Sequence, residues 1–283
     1  QKAIKELSGK IDFCQSLQCE GMYAQNASQN PDKLIDFCEE GKKLFRHKLI
    51  GQLFYILPEL TIIFIIICMF DPSVSLYIPL SLIGIQAVIN IVCYGRASGI
   101  LGPVSRYKNE IQVFQKLIEL IEKEEFEDEY LKELKSKLFD GKRPASEQIK
   151  DLEKIVNSID VGKGYIVELI LNLFLFWNIH CVFALERWKA KSGKAIRSWL
   201  QTIGDFEALA SLALVAQMNP EWDFPEMSDR EVSFNAIDMG HPLINESRRV
   251  CNSINMGNNI CVVTGSNMSG KTTLLRTVGV NLL

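Results

Sequence analysis

The sequence predicts a mainly α protein that passes, near its C-terminal end, into the first part of an α/β domain. Two observations support this fold class. Apolar residues recur at spacings of three and four over most of the first 200 positions, as on the buried face of amphipathic helices. After Asn219–Pro220 the apolar runs are short and either alternating or continuous, which is typical of strands. We therefore expect a helical domain over residues 1–215 and the incomplete N-terminal part of an α/β domain over residues 216–283.

The composition excludes several classes of protein. The 283 residues are 47% hydrophobic and 23% charged, so the chain can bury a large core and is neither disordered nor collagen-like. The formal net charge of -3 argues against a surface devoted to nucleic acid, although a local basic patch is compatible with it. The 8 cysteines include no C-x-x-C pair and no zinc-like spacing, and we interpret them as reduced core residues of an intracellular protein.

The first helices are predicted from apolar periodicity and a start signal. Apolar residues between Ala3 and Cys14 keep a period near 3.6, as in a helix. A second helix is expected to begin at Asn30–Pro31–Asp32, where an N-cap candidate precedes a proline at the first helical position. Its buried stripe would contain Leu34, Phe37 and Cys38.

An apolar hairpin follows over residues 49–94. Between Leu49 and Gly95 the chain holds two charged residues, Glu59 and Asp71, where the chain average of 23% would place about 11. The turn Asp71–Pro72–Ser73 divides the segment into two runs of about 20 residues, each long enough to cross a bilayer. Basic residues flank both runs on what would be one side of a membrane, as the positive-inside rule requires: Lys42, Lys43, Arg46, Lys48, Arg96, Arg106 and Lys108.

The same hairpin also fits the centre of a soluble helical domain. Helices surrounded by other helices are hydrophobic on every side. Polar residues and prolines interrupt the two runs and weaken the membrane interpretation: Pro58, Glu59, Pro79, Gln86 and Asn90. The sequence leaves both alternatives open.

Helical patterns continue to about residue 200. A long helix is expected over residues 103–138, with the acidic run 122–129 as its solvated face, and another over residues 149–159 after a turn at 140–144. The apolar stretch from Tyr165 to Leu185 contains recurrent polar residues, which favours a buried helix over a lipid-facing one. We interpret His180 in this stretch as a hydrogen-bonded core histidine, because no other ligand type is spaced to bind a metal with it.

The α/β part contains the motif that carries chemistry. Strands are predicted at Val232–Ile237 and Ile260–Val263. The second is followed directly by G-x-x-x-x-G-K-T, the P-loop or Walker A pattern, and then by the apolar positions of a helix. Such a loop directs backbone N–H groups at phosphates and adds the positive end of a helix dipole. The predicted nucleotide-binding residues are Gly265, Ser266, Asn267, Met268, Ser269, Gly270, Lys271, Thr272 and Thr273.

The P-loop predicts ATP or ADP and Mg²⁺ as cofactors. Lys271 would reach the β- and γ-phosphates, and the Thr272 hydroxyl would bind the Mg²⁺ carried by the nucleotide. Hydrolysis needs a second Mg²⁺ ligand, the Walker B aspartate, and a residue that orients water, both of which follow later in such folds. Because eleven residues follow Thr272 and the chain ends at Leu283 within a predicted helix, we interpret it as a piece of a longer protein with no complete catalytic set and no ATP turnover of its own.

The P-loop resembles that of the MutS family. Residues 264–273, T-G-S-N-M-S-G-K-T-T, are similar to the usual family pattern T-G-P-N-M-G-G-K-S-T. Gly240–Leu243 resembles the family's R-H-P-L segment, and Val250–Ile254 its V-P-N-D-I stretch, so the resemblance implies an adenine side formed by His241, Val250 and Asn252. Gly240 and Cys251 depart from these patterns.

Two further segments extend the resemblance. Residues 205–213 look like the helix that joins the MutS lever to its ATPase, and residues 184–188 recur in short bacterial MutS-like proteins with hydrophobic segments. The likeness is specific over residues 184–283 and only architectural over residues 1–183, where it implies a core of long helices and a lever. The mismatch-reading domain with its Phe-x-Glu wedge has no counterpart, and we interpret Phe224–Pro225–Glu226 as a linker.

The resemblance implies a DNA mismatch-repair ATPase. Such a protein couples ATP binding and hydrolysis to binding of mismatched or branched DNA, and the complete protein would be a cytoplasmic homodimer. An alternative is a membrane-anchored mechanical ATPase derived from MutS, held at the inner face of the cytoplasmic membrane through residues 49–94 and acting on a client other than DNA. An ABC-type transporter subunit fits less well, because its adenine contact is an aromatic residue well ahead of the P-loop.

Overall fold

The computed structural model describes residues 1–25, 31–39, 48–71, 73–139, 143–161, 164–226 and 233–281. The chain divides into two compact units, Gln1–Trp222 and Asp223–Leu283. The division lies after the predicted position between residues 215 and 216, because the last helix of the first unit continues to Met218. The structure is mainly helical, as the sequence predicts.

The described residues of the first unit are helical along most of their length. Pro31 opens the third helix, in agreement with the predicted start; Asn30 lies outside the described residues. The helices are α1 (Lys2–Gly9), α2 (Ile11–Gln25), α3 (Pro31–Glu39), α4 (Lys48–Phe70), α5 (Tyr77–Ser105), α6 (Lys108–Lys123), α7 (Glu129–Ser136), α8 (Ala145–Val161), α9 (Tyr165–Leu175), α10 (Trp177–Ser192) and α11 (Ile196–Met218).

The main core lies among α1, α2, α6, α8, α10 and α11, which we call the helical body. An aromatic cluster occupies one part of it: the Phe13 ring centroid is 5.6 Å from that of Phe126 and 6.3 Å from that of Phe206. Trp199 and Leu185 are fully buried. Trp188 donates its ring N–H to the Gln148 carbonyl oxygen at 2.6 Å, so α10 is held to α8 by a buried hydrogen bond as well as by apolar packing.

The acidic run 122–129 does more than form a solvated face. The Glu122 carboxylate accepts hydrogen bonds from the backbone N–H and the hydroxyl of Ser146, in the first turn of α8. Asp128 is the N-cap of α7, and its own backbone N–H donates to Glu6 of α1 at 2.6 Å. Burial raises the pKa of Glu122, and the Ser146 bonds oppose that shift. The run therefore joins α6 to α8 and the start of α7 to α1, which the sequence pattern does not reveal.

We predict that Glu122→Ala destabilises the helical body by about 1–2 kcal/mol, since α8 loses the acceptor for its first N–H groups. Denaturant unfolding in detergent, followed by tryptophan fluorescence, measures the change. Glu125→Ala is the matched control, because Glu125 is an exposed carboxylate in the same run. Equal stability of the two variants would contradict the role given to Glu122.

The apolar hairpin consists of α4 and α5, and its outer faces are open. Gly51–Phe70 and Tyr77–Ser105 are the helices long and apolar enough to cross a membrane among the described residues, and only 22% and 11% of their most apolar windows are buried. Val88, Ile91 and Val92 share one face of α5 and are 61%, 77% and 72% exposed. No helix among the described residues covers these faces, so the described contacts do not place the hairpin at the centre of a soluble core.

The Gln86 and Asn90 side chains lie on the inner side of the hairpin, whereas Glu59 of α4 is exposed. The Gln86 amide of α5 donates to the Thr61 hydroxyl of α4 at 2.7 Å, and both side chains are buried. The Asn90 amide donates to the Asn172 carbonyl oxygen of α9 at 2.7 Å. Gln86 and Asn90, which weaken the membrane interpretation at the level of sequence, are thus contacts between helices.

The apolar stretch from Tyr165 to Leu185 belongs to two helices, α9 and α10. Phe176, with φ 50° and ψ 40°, ends α9 and precedes α10, and the two helix axes differ by 74°. The predicted buried helix is right for α10, where Val182 and Leu185 are fully buried, and wrong for the face of α9 that carries Ile166, Leu169 and Ile170, which are exposed. His180 is half-buried, with its ring centroid 4.5 Å from that of Tyr55.

The cysteines are free thiols in mixed environments. Cys14, Cys38 and Cys181 are buried, and burial raises the pKa of Cys38 to about 12. Cys19, Cys251 and Cys261 are exposed, so the expectation of core positions is wrong for these three. Their positions lie outside the apolar stripe of a packed helix, whereas the buried cysteines lie within one.

The second unit contains two strands and one helix among its described residues. Strands β1 (Phe234–Met239) and β2 (Asn252–Met256) pair antiparallel, with Phe234 opposite Met256 and an irregularity between Ala236 and Met239. Helix α12 (Lys271–Asn281) contacts β1. The strand predicted at Val232–Ile237 appears as β1. Residues 260–263 form no strand: a strand persists only when a neighbour pairs with it, and β1 pairs with β2 instead.

Candidate phosphate-binding loop

The predicted P-loop lies between residues 260–264, which do not form the predicted strand, and the start of α12. Gly270 has φ +86°, a conformation that favours glycine, and it immediately precedes the first helical residue, Lys271. A Cβ atom on Gly265 would come within 2.8 Å of the Ser269 hydroxyl oxygen, so a side chain there would require Ser269 to move. The backbone conformation at Gly270 and the close approach of Ser269 to Gly265 therefore explain why the motif has glycine at both positions.

Lys271 closes the loop on itself. Its Nζ lies 2.5 Å from the carbonyl oxygens of both Gly265 and Ser266, and the Ser269 N–H donates to the Ser266 carbonyl oxygen at 3.4 Å. An ammonium group in this position is held by two neutral acceptors. Phosphate oxygens carry charge and form stronger hydrogen bonds with it. The loop thus positions one cation where a phosphate would be bound.

The start of α12 supplies further donors. The first hydrogen bond into this helix runs from the Leu274 N–H to the Gly270 carbonyl oxygen at 2.9 Å. The N–H groups of Lys271, Thr272 and Thr273 have no intrahelical acceptor, as at every helix start, and they carry the positive end of the helix dipole. The residues present therefore fit a bound phosphate.

The remaining loop side chains face solvent. Met268 is fully exposed with φ 65°, and Asn267 and Thr272 are exposed as well. The Thr273 carbonyl oxygen accepts from the Thr277 hydroxyl at 2.7 Å, which holds the helix rather than the loop. Within the described part of the chain no group of three His, Cys, Asp or Glu residues is placed to hold a metal. The Thr272 hydroxyl is the candidate Mg²⁺ ligand, through the nucleotide.

The three candidate adenine-side residues make local contacts. The His241 ring nitrogen Nδ1 accepts from the Leu243 N–H at 3.2 Å, and the Asn252 amide donates to the Val250 carbonyl oxygen at 3.4 Å. Val250 is 78% exposed. The Asn281 amide of α12 donates to the Gly240 carbonyl oxygen at 3.3 Å, which joins the end of that helix to the residue before His241.

Arg249 is a residue that the sequence reasoning missed. A Cβ atom on Gly240 would lie 2.5 Å from Cδ of Arg249, so this side chain packs across the glycine. The Arg249 side chain thus lies beside Gly240, the residue before His241. Nothing in the local sequence pattern marks Arg249, because the contact depends on the loop between β1 and β2.

Comparison of the chain with protein-family models, with curated proteins and with solved structures found no match. The assignment of the loop therefore depends on its own residues and geometry.

We predict that Lys271→Ala lowers the affinity of the protein for MgATP by about tenfold or more, because a charge-assisted hydrogen bond contributes roughly 1.5–3 kcal/mol. Isothermal titration or the anisotropy of a fluorescent ATP analogue measures Kd. Arg276→Ala removes an exposed cation from the same helix and is the matched control. Equal Kd values for the two variants would contradict the role of Lys271.

Proposed function

We propose that the protein binds ATP through residues 265–273 and uses the bound nucleotide in a MutS-like manner. The observation that carries the proposal is the glycine loop with Lys271 Nζ held 2.5 Å from two loop carbonyl oxygens, directly before α12. Phosphate would replace these acceptors, and Thr272 would bind the accompanying Mg²⁺. The Asn–Met pair inside the loop is the feature that distinguishes the proposal from a generic nucleotide-binding protein.

Helix α11 supports a mechanical role for the helical body. It has 23 residues, or about 35 Å of length, and ends shortly before the boundary between the two units. Phe206, Ala210 and Ala213, within the segment that resembles the MutS connecting helix, are buried against the body. A long helix packed along its length moves as a rigid rod, which is the kind of element that transmits a displacement.

The first candidate client is mismatched or branched DNA. In this version nucleotide state alters DNA affinity through the helical levers of a homodimer, as the family resemblance implies. The proposed test is DNA binding by the protein with and without MgATP. A severalfold change in Kd between the two conditions is expected, and no binding to either duplex or branched DNA would contradict a DNA client.

The second candidate is a membrane-anchored ATPase with a client other than DNA, and two observations favour it. One is the exposed apolar surface of α4 and α5. The other is the pairing of cations in the helical body: Lys10 lies 2.6 Å from Glu124, Lys108 lies 2.7 Å from Asp160, and both Glu39 and Asp36 contact Arg197. Paired cations release fewer counterions to DNA, so these three cations add little electrostatic affinity for it.

The tip of the hairpin supports a crossing rather than a shallow insertion. The Asp71 carboxylate accepts from the Ser73 N–H at 2.9 Å and from its hydroxyl at 2.6 Å, and these bonds lower the pKa of Asp71. An ionised carboxylate is costly inside hydrocarbon, which favours a position of the tip outside it. Tyr77 begins α5, and Tyr94 lies about 26 Å further along the helix; both are exposed, and Arg96 follows. This is the arrangement of interfacial aromatic residues around a membrane core.

We predict that the double substitution Val88→Lys and Ile91→Lys strongly reduces recovery of the protein with floating phospholipid vesicles. Each lysine near the centre of a spanning helix costs about 2.5–3.5 kcal/mol of insertion free energy. Both side chains are already exposed, so a water-soluble hairpin would tolerate the change without loss of fold. Met22→Lys, at a 58% exposed apolar side chain of α2, is the control. Unchanged flotation of the double variant would contradict membrane anchoring.

A further inference from the structure

Helix α9 has many of its apolar side chains outward and its polar side chains inward, as in a helix that faces lipid. Ile166, Leu169 and Ile170 share one face and are 70%, 59% and 51% exposed. The opposite face carries Glu168 and Asn172, which are half-buried. A helix on the surface of a water-soluble body has the reverse arrangement, with its apolar stripe inward.

The polar face of α9 is occupied by contacts with its neighbours. Glu168 accepts from the Asn178 side-chain amide of α10 at 3.5 Å, at the N-terminal turn of that helix, where a negative charge is favoured. The Asn172 side-chain oxygen accepts from the Asn178 N–H at 2.9 Å. These bonds turn the polar atoms of α9 inward and leave its apolar face without a protein partner among the described residues.

The position of α9 connects its apolar face with that of the hairpin. The Asn172 carbonyl oxygen accepts from Asn90 of α5, and the Phe176 ring at the end of α9 lies 5.1 Å from the Phe54 ring of α4. Phe54, Leu57, Phe176 and Ile179 form a small second core. The exposed faces of α4, α5 and α9 therefore belong to one apolar unit.

The length of α9 limits how it can meet a membrane. Its 11 residues extend about 16 Å, roughly half of the 30 Å hydrocarbon core. At Phe176 the chain turns by 74° into α10, which is buried in the helical body. The helix is therefore too short to cross the apolar layer of a membrane by itself.

We propose that α9 is embedded in the bilayer leaflet nearest the helical body, beside α4 and α5, with lipid acyl chains covering Ile166, Leu169 and Ile170. This inference rests on the proposed membrane anchoring. It adds a third insertion, fixed to the body through α10, so that the hairpin and the body are held in one orientation to the membrane surface.

The test is fluorescence quenching by dibrominated phospholipids in vesicles that contain the full chain. Single tryptophans are introduced as Leu169→Trp in α9, Ile91→Trp in α5 and Met22→Trp in α2, and the emission of the parent protein is subtracted from each. All three positions are exposed apolar side chains, so a tryptophan there leaves the packing intact. We expect the added emission at position 169 to be lost to an extent comparable to that at position 91, and position 22 to be unaffected.

The outcomes separate the two proposals. Quenching at position 91 with none at position 169 would overturn the embedding of α9 and leave the membrane hairpin in place. Absence of quenching at both positions would overturn membrane anchoring and, with it, the inference about α9. Quenching at all three positions would indicate general adsorption of the protein to lipid and would also overturn a specific insertion of α9.

Discussion

The structure depends on three helices, α4, α5 and α9, many of whose apolar side chains are exposed and whose contacts with one another include polar side chains. Contacts with neighbouring helices are made by Thr61, Gln86, Asn90 and Asn172, whereas Glu59, the one charged residue of α4 beyond its first turn, is exposed. Burying a leucine, isoleucine, valine or phenylalanine side chain contributes about 1.5–3 kcal/mol relative to leaving it in water. In water the exposed side chains of these helices would contribute none of this stabilisation. In the proposed membrane-anchored form, the bilayer supplies an apolar solvent for them.

The proposed membrane environment also explains why polar residues interrupt the apolar runs. Inside hydrocarbon a hydrogen-bonding group needs a partner within the protein. Gln86 with Thr61 joins α5 to α4, and Asn90 with Asn172 joins α5 to α9. Helices in lipid gain nothing from the hydrophobic effect when they associate, so such bonds and close packing hold them together. The helical body, in contrast, uses ordinary apolar burial around residues such as Trp199 and Phe206.

Sequence patterns predicted those features that local chemistry determines. The start of α3 at Pro31 and the helix after Gly270 follow from the restricted φ of proline and the freedom of glycine. The motif also predicted which residues form the loop. Its closure by Lys271 on the Gly265 and Ser266 carbonyl oxygens is a property of the folded loop.

Features that depend on distant contacts were not predictable in this way. The break at Phe176 occurs at a non-glycine residue with positive φ, where the ring packs on Phe54 and outweighs the local preference for helix. Residues 260–263 have strand-forming composition, but β-structure requires a paired neighbour. Arg249 reaches Gly240 only because β1 and β2 bring their connecting loop together.

The central claim is that one chain carries both an ATP-binding loop and a membrane-inserted apolar unit. The most direct measurement is photolabelling of membranes that contain the protein with an azido-ATP analogue, followed by alkaline extraction of peripheral proteins. The account predicts that the labelled chain stays in the membrane pellet and that unlabelled MgATP abolishes the label. Recovery of the chain in the supernatant would contradict membrane insertion, and a label that MgATP does not compete away would contradict the nucleotide site.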